Sequence, residues 1–125
     1  MKYVILIYHN PAARQIWESF SDEQKAEGYG VYAALNEDLM SSGEMIVSEA
    51  LADPAMAKRV TVRDGQIMAS DGPFAEVKEH LTGFYLVECD SQERAIEVAA
   101  RIPEAAISEG RIEVRPVLDL SGMEM

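Results

Sequence analysis

Asp71-Gly72-Pro73-Phe74 is followed within one short segment by Glu76, Lys78, Glu79 and His80, and then by Gly83-Phe84-Tyr85. No other stretch of the chain joins tight-turn residues to so many ionisable groups beside an apolar run. Carboxylates, an amine and an imidazole are the side chains that move protons and orient polar ligands. In a partly closed pocket Asp71 would serve as a general base, with Glu76, Lys78 and His80 positioning a polar or anionic ligand and Phe74 forming an apolar wall. The same residues have a plainer reading. Asp-Gly-Pro is a turn signal in its own right, because Asp bonds the backbone beyond it and Pro fixes φ. Alternating charges on a surface segment contribute little.

Two further candidates lie elsewhere. His9 closes the apolar run of residues 3–8, and an imidazole suits proton transfer because it ordinarily titrates near neutrality; Tyr8 beside it is a candidate ligand contact. Tyr32 falls on a predicted helix and could partner Asp71, as His9 could. Trp17 precedes that helix, where a lid, a dimer contact or simple packing would each suit it. Two histidines far apart in sequence, with no HxxxH or CxxC pattern, give no metal signature. No Gly-rich phosphate loop follows a strand and no nucleophile elbow is present, so no cofactor is expected. The single Cys89 sits in an apolar run without an adjacent cation, as a small buried hydrophobe does.

The elements that must position these groups can be read from periodicity. Residues 3–8 are continuously apolar and β-rich, as in a central strand, and His9-Asn10-Pro11 ends it. Ser21-Asp22-Glu23-Gln24 is a capping box opening a helix that runs to about Ser42, with Gly43 as its stop. Tyr29, Tyr32, Leu35 and Leu39, together with Ala33 and Asn36, fall near one stripe. Gly28 and Gly30 weaken that helix unless a kink or the close approach of another backbone requires them. Residues 44–48 form a second strand. Asp64-Gly65 joins residues 60–63 and 66–68 in a two-residue hairpin. Residues 83–89 read as another central strand. Asp90-Ser91-Gln92-Glu93 caps a helix with Ala95, Ile96, Ala99 and Ile102 inward, and residues 111–118 form the last strand. Without the hairpin, the order is the split βαβ arrangement of a ferredoxin-like fold. Both helices take one face of the sheet, so the other face needs cover, and a second copy of the chain is the expected one.

A chain of 125 residues with 48% hydrophobic and 26% charged residues fits one globular domain spanning 1–125. Its 22 acidic against 11 basic residues give a net charge of −11, which repels phosphate backbones and anionic lipids. Nucleic-acid and membrane partners are therefore not expected. The longest apolar run is too short to span a bilayer and lacks the flanks of a signal peptide. With one unpaired cysteine, this predicts a cytoplasmic protein.

The residues at 71–74, with Glu76, Lys78-Glu79 and Gly83-Phe84-Tyr85, resemble the YCII-related family, specifically its DGPF branch. Met1-Lys2-Tyr3 opening the first strand, the Asp64-Gly65 hairpin and Glu113-Val114-Arg115-Pro116 agree, so the resemblance covers about residues 1–119. It implies α+β subunits of ferredoxin-like βαββαβ form with an inserted β-hairpin, paired into a dimeric α+β barrel. It also implies a small-molecule site between helices and sheet, without an established reaction. A better-discussed branch suggests a His–Asp pair with the His on the first helix. Here Tyr32 stands near that position and Asp71 corresponds loosely to the Asp, so the His–Asp chemistry does not carry over directly. Two functions follow as expectations. One is a cofactor-independent acid–base enzyme acting on a small organic molecule, through an isomerase, dehydratase or lyase-like step. The alternative is a non-catalytic ligand-sensing or protein-binding module linked to sigma-factor regulation.

Overall fold

The computed structural model describes residues 1–73 and 78–121. Strand β1 spans Lys2–His9 and is followed by helix α1, Pro11–Ser19. This helix is absent from the sequence reading, which took Asn10-Pro11 only as a strand terminator. The pair has a second use: the Asn10 side chain accepts from the Ala13 N–H, and Pro11 occupies the first helical position, where its missing N–H costs nothing. Helix α2, Asp22–Ser42, begins with the expected reciprocal cap between Ser21 and Gln24 and ends at Gly43.

Strand β2 covers Met45–Ala50, and β3 (Lys58–Arg63) and β4 (Gln66–Asp71) form the hairpin. Asp64 and Gly65 adopt φ of 52° and 77°, the left-handed pair that a two-residue turn requires. Strand β5 spans His80–Glu88, helix α3 Gln92–Ala100, and β6 Gly110–Pro116, with a short 3-10 turn at Pro103–Ala106 before β6. The main sheet has the order β2-β5-β1-β6, every pair antiparallel, and β3–β4 stand apart as a two-stranded sheet. The chain is thus an α+β protein of the ferredoxin-like type carrying an inserted hairpin.

The alternation of β1 explains the core. Tyr3, Ile5 and Ile7 point to one face and join Tyr85 and Val87 of β5 beneath Leu35 and Leu39 of α2. Helix α3 adds Ala95, Val98, Ala99 and, just past its end, Ile102, a set at helical spacing. Ile96, expected inward, is 51% exposed, and Val98 takes the inward place instead. Arg94 clamps α3 to the sheet through a two-pronged pair with Glu44, its Nε and Nη2 lying 2.9 and 2.8 Å from the carboxylate oxygens. That guanidinium holds the Glu44 carboxyl down at about 2. Val4 and Leu6 of β1, with Phe84 and Leu86 of β5, occupy the opposite sheet face and are only half-buried. No helix among the described residues is long and apolar enough to cross a membrane.

Candidate functional site

Because side chains alternate along β1, His9 shares the helix-covered face with Ile5 and Ile7 and emerges where the sheet ends. Opposite it, the 3-10 turn after α3 presents Glu104, and α2 presents Tyr32, one turn before the core residue Leu35 and the half-buried Asn36. His9 Nε2 lies 2.6 Å from Glu104 Oε2, and the Tyr32 hydroxyl donates to Glu104 Oε1. Both oxygens of one carboxylate are therefore engaged. The Glu104 side chain is 12% exposed and that of His9 26%, so the cluster is largely shielded while His9 keeps access.

Electrostatics follow from that geometry. Burial alone would raise the Glu104 carboxyl, but the hydrogen bonds from His9 and Tyr32 overcome it and hold the group below its ordinary value. Glu104 is accordingly an anion and an acceptor. Burial, and then the bond to that anion, pushes the Tyr32 phenol far upward, so it stays protonated. Gly110 is required for this arrangement. A Cβ there would come within 2.9 Å of the Glu104 carbonyl oxygen and of its Cβ, so only glycine lets β6 start against this turn.

His9, Tyr32 and Glu104 line a cavity of about 720 Å³ between α1, α2 and the sheet. Asn36 and Tyr85 also line it, and the Tyr85 hydroxyl donates to the Asn36 side-chain oxygen. The far wall is aromatic. Trp17 meets Phe20 and Tyr29 edge to face, with ring centroids 5.8 and 5.2 Å away. Gly28 makes room for it, since a Cβ there would sit 3.0 Å from the indole. What approaches Gly28 is the Trp17 side chain, not the second backbone that an in-helix glycine suggested, and Gly30 faces open space. Among the described residues, no group of three or more His, Cys, Asp or Glu side chains is placed to hold a metal ion.

The YCII-related domain model matches residues 1–121. The chain belongs to the YCII-related domain family. It is also similar to an uncharacterized protein of Rhizobium meliloti (strain 1021), with 31% identity over 117 residues that cover 94% of this chain and 92% of that relative.

In this YCII-related domain the residues singled out from sequence separate into distinct places. His9 and Tyr32 meet through Glu104 in the cavity. Asp71 does not line that cavity; at the end of β4 its side chain is 84% exposed and pairs with Lys58. Tyr8 lies on the opposite sheet face, beneath Arg111 at 4.6 Å and 3.3 Å from Glu113 Oε2. His80 is the cross-strand neighbour of His9 but lines a smaller hollow with Leu51, Met56, Pro73 and Leu81. Lys78 is exposed. Phe74 and Glu76 lie outside the described residues. Glu104 was missed from sequence because a lone glutamate after a proline carries no motif. Its proximity to His9 arises only when β6 returns beside β1.

Proposed function

We propose that the chain is a cofactor-independent acid–base enzyme acting on a small organic molecule, with His9 as the proton-transferring group. The observation that carries this reading is one largely shielded carboxylate bonded to both His9 and Tyr32 at the edge of an apolar cavity. An ionised Glu104 accepts the Nε2 proton, which fixes the tautomer and leaves the lone pair on Nδ1. Nδ1 has no hydrogen-bond partner among the described residues, so it is free to take a proton from a bound molecule. Tyr32 anchors the second Glu104 oxygen and so positions the base. Asn36 accepts from Tyr85 with its oxygen, which leaves its amide N–H groups to hold a substrate oxygen on which charge develops. Removal and return of a proton beside a carbonyl, as in an isomerase or lyase-like step, needs no more than these parts. In this reading Asp71 organises its turn and does not touch the reacting atoms.

The test is solvent deuterium exchange into a panel of small carbonyl compounds, followed by proton NMR. Exchange at carbon is expected with the wild type, to fall by about 100-fold or more in His9→Gln, and to stay within a few-fold in Asp71→Asn. Exchange undiminished in His9→Gln overturns the reading.

The assembly we propose is a homodimer closed over the sheet face of Val4, Leu6, Phe84 and Leu86, in the DGPF branch of the family and in the cytoplasm. A second reading, a protein-binding module of regulatory role, is favoured by one observation. The hairpin carries Val60, Val62 and Ile67 at 63, 69 and 79% exposure, and Val60 and Val62 share a face with Ile67 through the cross-strand pairing. A stable protein partner lost on Val62→Lys, with no exchange activity across the panel, would favour that reading.

A further inference from the structure

The cavity has a charge character that its apolar walls make decisive. Three acidic residues line it, Glu18, Glu104 and Glu109, against the cationic Arg14 and the titratable His9; Glu49 reaches it only through its backbone, because its pairing with Phe84 turns the side chain to the opposite sheet face. Arg14 is already committed, its Nε 3.1 Å from Glu18 and its Nη2 3.0 Å from Asp53. Glu104 is committed to His9 and Tyr32. Glu109 has no cationic partner within ion-pair distance among the described residues. An anion entering this space would lose its hydration, find Arg14 already paired, and face the anionic Glu104 and the uncompensated Glu109. A neutral molecule pays none of this, and an ammonium gains from the acids and from the Trp17, Phe20 and Tyr29 rings.

Resting on the acid–base reading above, we infer that the substrate is a predominantly apolar molecule of one or two rings that bears an acceptor oxygen or a cationic amine and carries no negative charge. The size follows from the volume of about 720 Å³, within the range of small-molecule sites. The acceptor oxygen meets the free Asn36 amide beside His9, and the rings lie against the Trp17 wall. Negative cofactor-linked substrates and simple carboxylic acids are excluded by the same inventory.

Trp17 is the sole tryptophan of the chain and lines the cavity, so its emission reports occupancy directly. Three near-isosteric monocyclic compounds without absorbance at the tryptophan band serve as probes: cyclohexyl methyl ketone, cyclohexylmethylamine and cyclohexanecarboxylate. The ketone and the amine are expected to change Trp17 emission saturably, with the carboxylate at least about tenfold weaker, a difference of about 1.4 kcal/mol. A Glu109→Gln variant should narrow that gap. Equal or tighter binding of the carboxylate overturns the inference, as does the absence of a saturable change with all three probes on folded protein. Failure of the two readings is separable. Selective ketone binding without any deuterium exchange removes the acid–base reading and leaves this one, whereas exchange with an anion preference does the reverse.

Discussion

Two places in this molecule each join a carboxylate to a basic side chain, and they differ in what surrounds them. Glu104 is a shielded carboxylate whose two oxygens bond His9 and Tyr32, and it sits on a turn pinned between α3 and β6. Asp71 pairs with Lys58 at the foot of the hairpin, where the two side chains are 84 and 62% exposed. In the first setting water is largely excluded, so each hydrogen bond alters the charge state of its partner and fixes a ring nitrogen for chemistry. In the second, solvent screens the pair and its contribution to stability is about 0–1 kcal/mol. Residue type alone therefore does not make a site; enclosure does.

The contrast breaks most visibly if Glu104 proves dispensable. Glu104→Ala should reduce His9-dependent deuterium exchange by about 100-fold. It should also cost about 1–3 kcal/mol of stability in urea unfolding, because Tyr32 and His9 lose their shared acceptor. Gly110→Ala sharpens the same point from the backbone side. Its Cβ meets the Glu104 carbonyl oxygen and the Cβ at the root of that side chain, neither of which can swing away, so a loss of about 1–3 kcal/mol is expected, with lowered exchange. Tyr32→Phe leaves the base in place and should cost about 1.5 kcal/mol or more, the value of a hydrogen bond to a charged group.

Acid tests the shielded carboxylates in a different way. Glu104 and Glu44 are both held below their ordinary values in the folded chain, so the unfolded chain binds more protons as the solution is acidified. Their stabilisation is complete above about pH 5 and is lost on further acidification, that of Glu44 as the pH falls toward about 2. Urea midpoints should decline through that window, and Glu44→Gln should flatten the decline; midpoints that rise on acidification contradict the assignment. The smallest effect belongs to the hairpin end, where Asp71→Asn should change stability by no more than about 0.5 kcal/mol.

Much of the scaffold was readable from local chemistry. The Ser21–Gln24 cap, the Asp64-Gly65 turn and the apolar run of β1 each act within a few residues, and each stands where periodicity places it. Helix α1 was obscured because Asn10-Pro11 serves equally as a strand stop and a helix start. Ile96 was misplaced because inward and outward positions of a short helix differ by a fraction of a turn. The site was half legible. His9 at a strand end and Tyr32 on the long helix were identifiable as candidates, but Glu104 and the Trp17 wall depend on long-range closure. The sequence drew attention to Asp71 because ionisable residues cluster there along the chain, and clustering along the chain does not imply enclosure in space.

The most direct measurement is long-range nitrogen–proton NMR of the imidazoles, in a chain whose two histidines make assignment simple. Recorded where both rings are neutral, His9 should appear as a single tautomer protonated at Nε2. It should lose that bias in Glu104→Gln and keep it in Asp71→Asn. A His9 ring protonated at Nδ1, or one indifferent to Glu104→Gln, would contradict the assignment of Glu104 as the group that readies His9 for proton transfer.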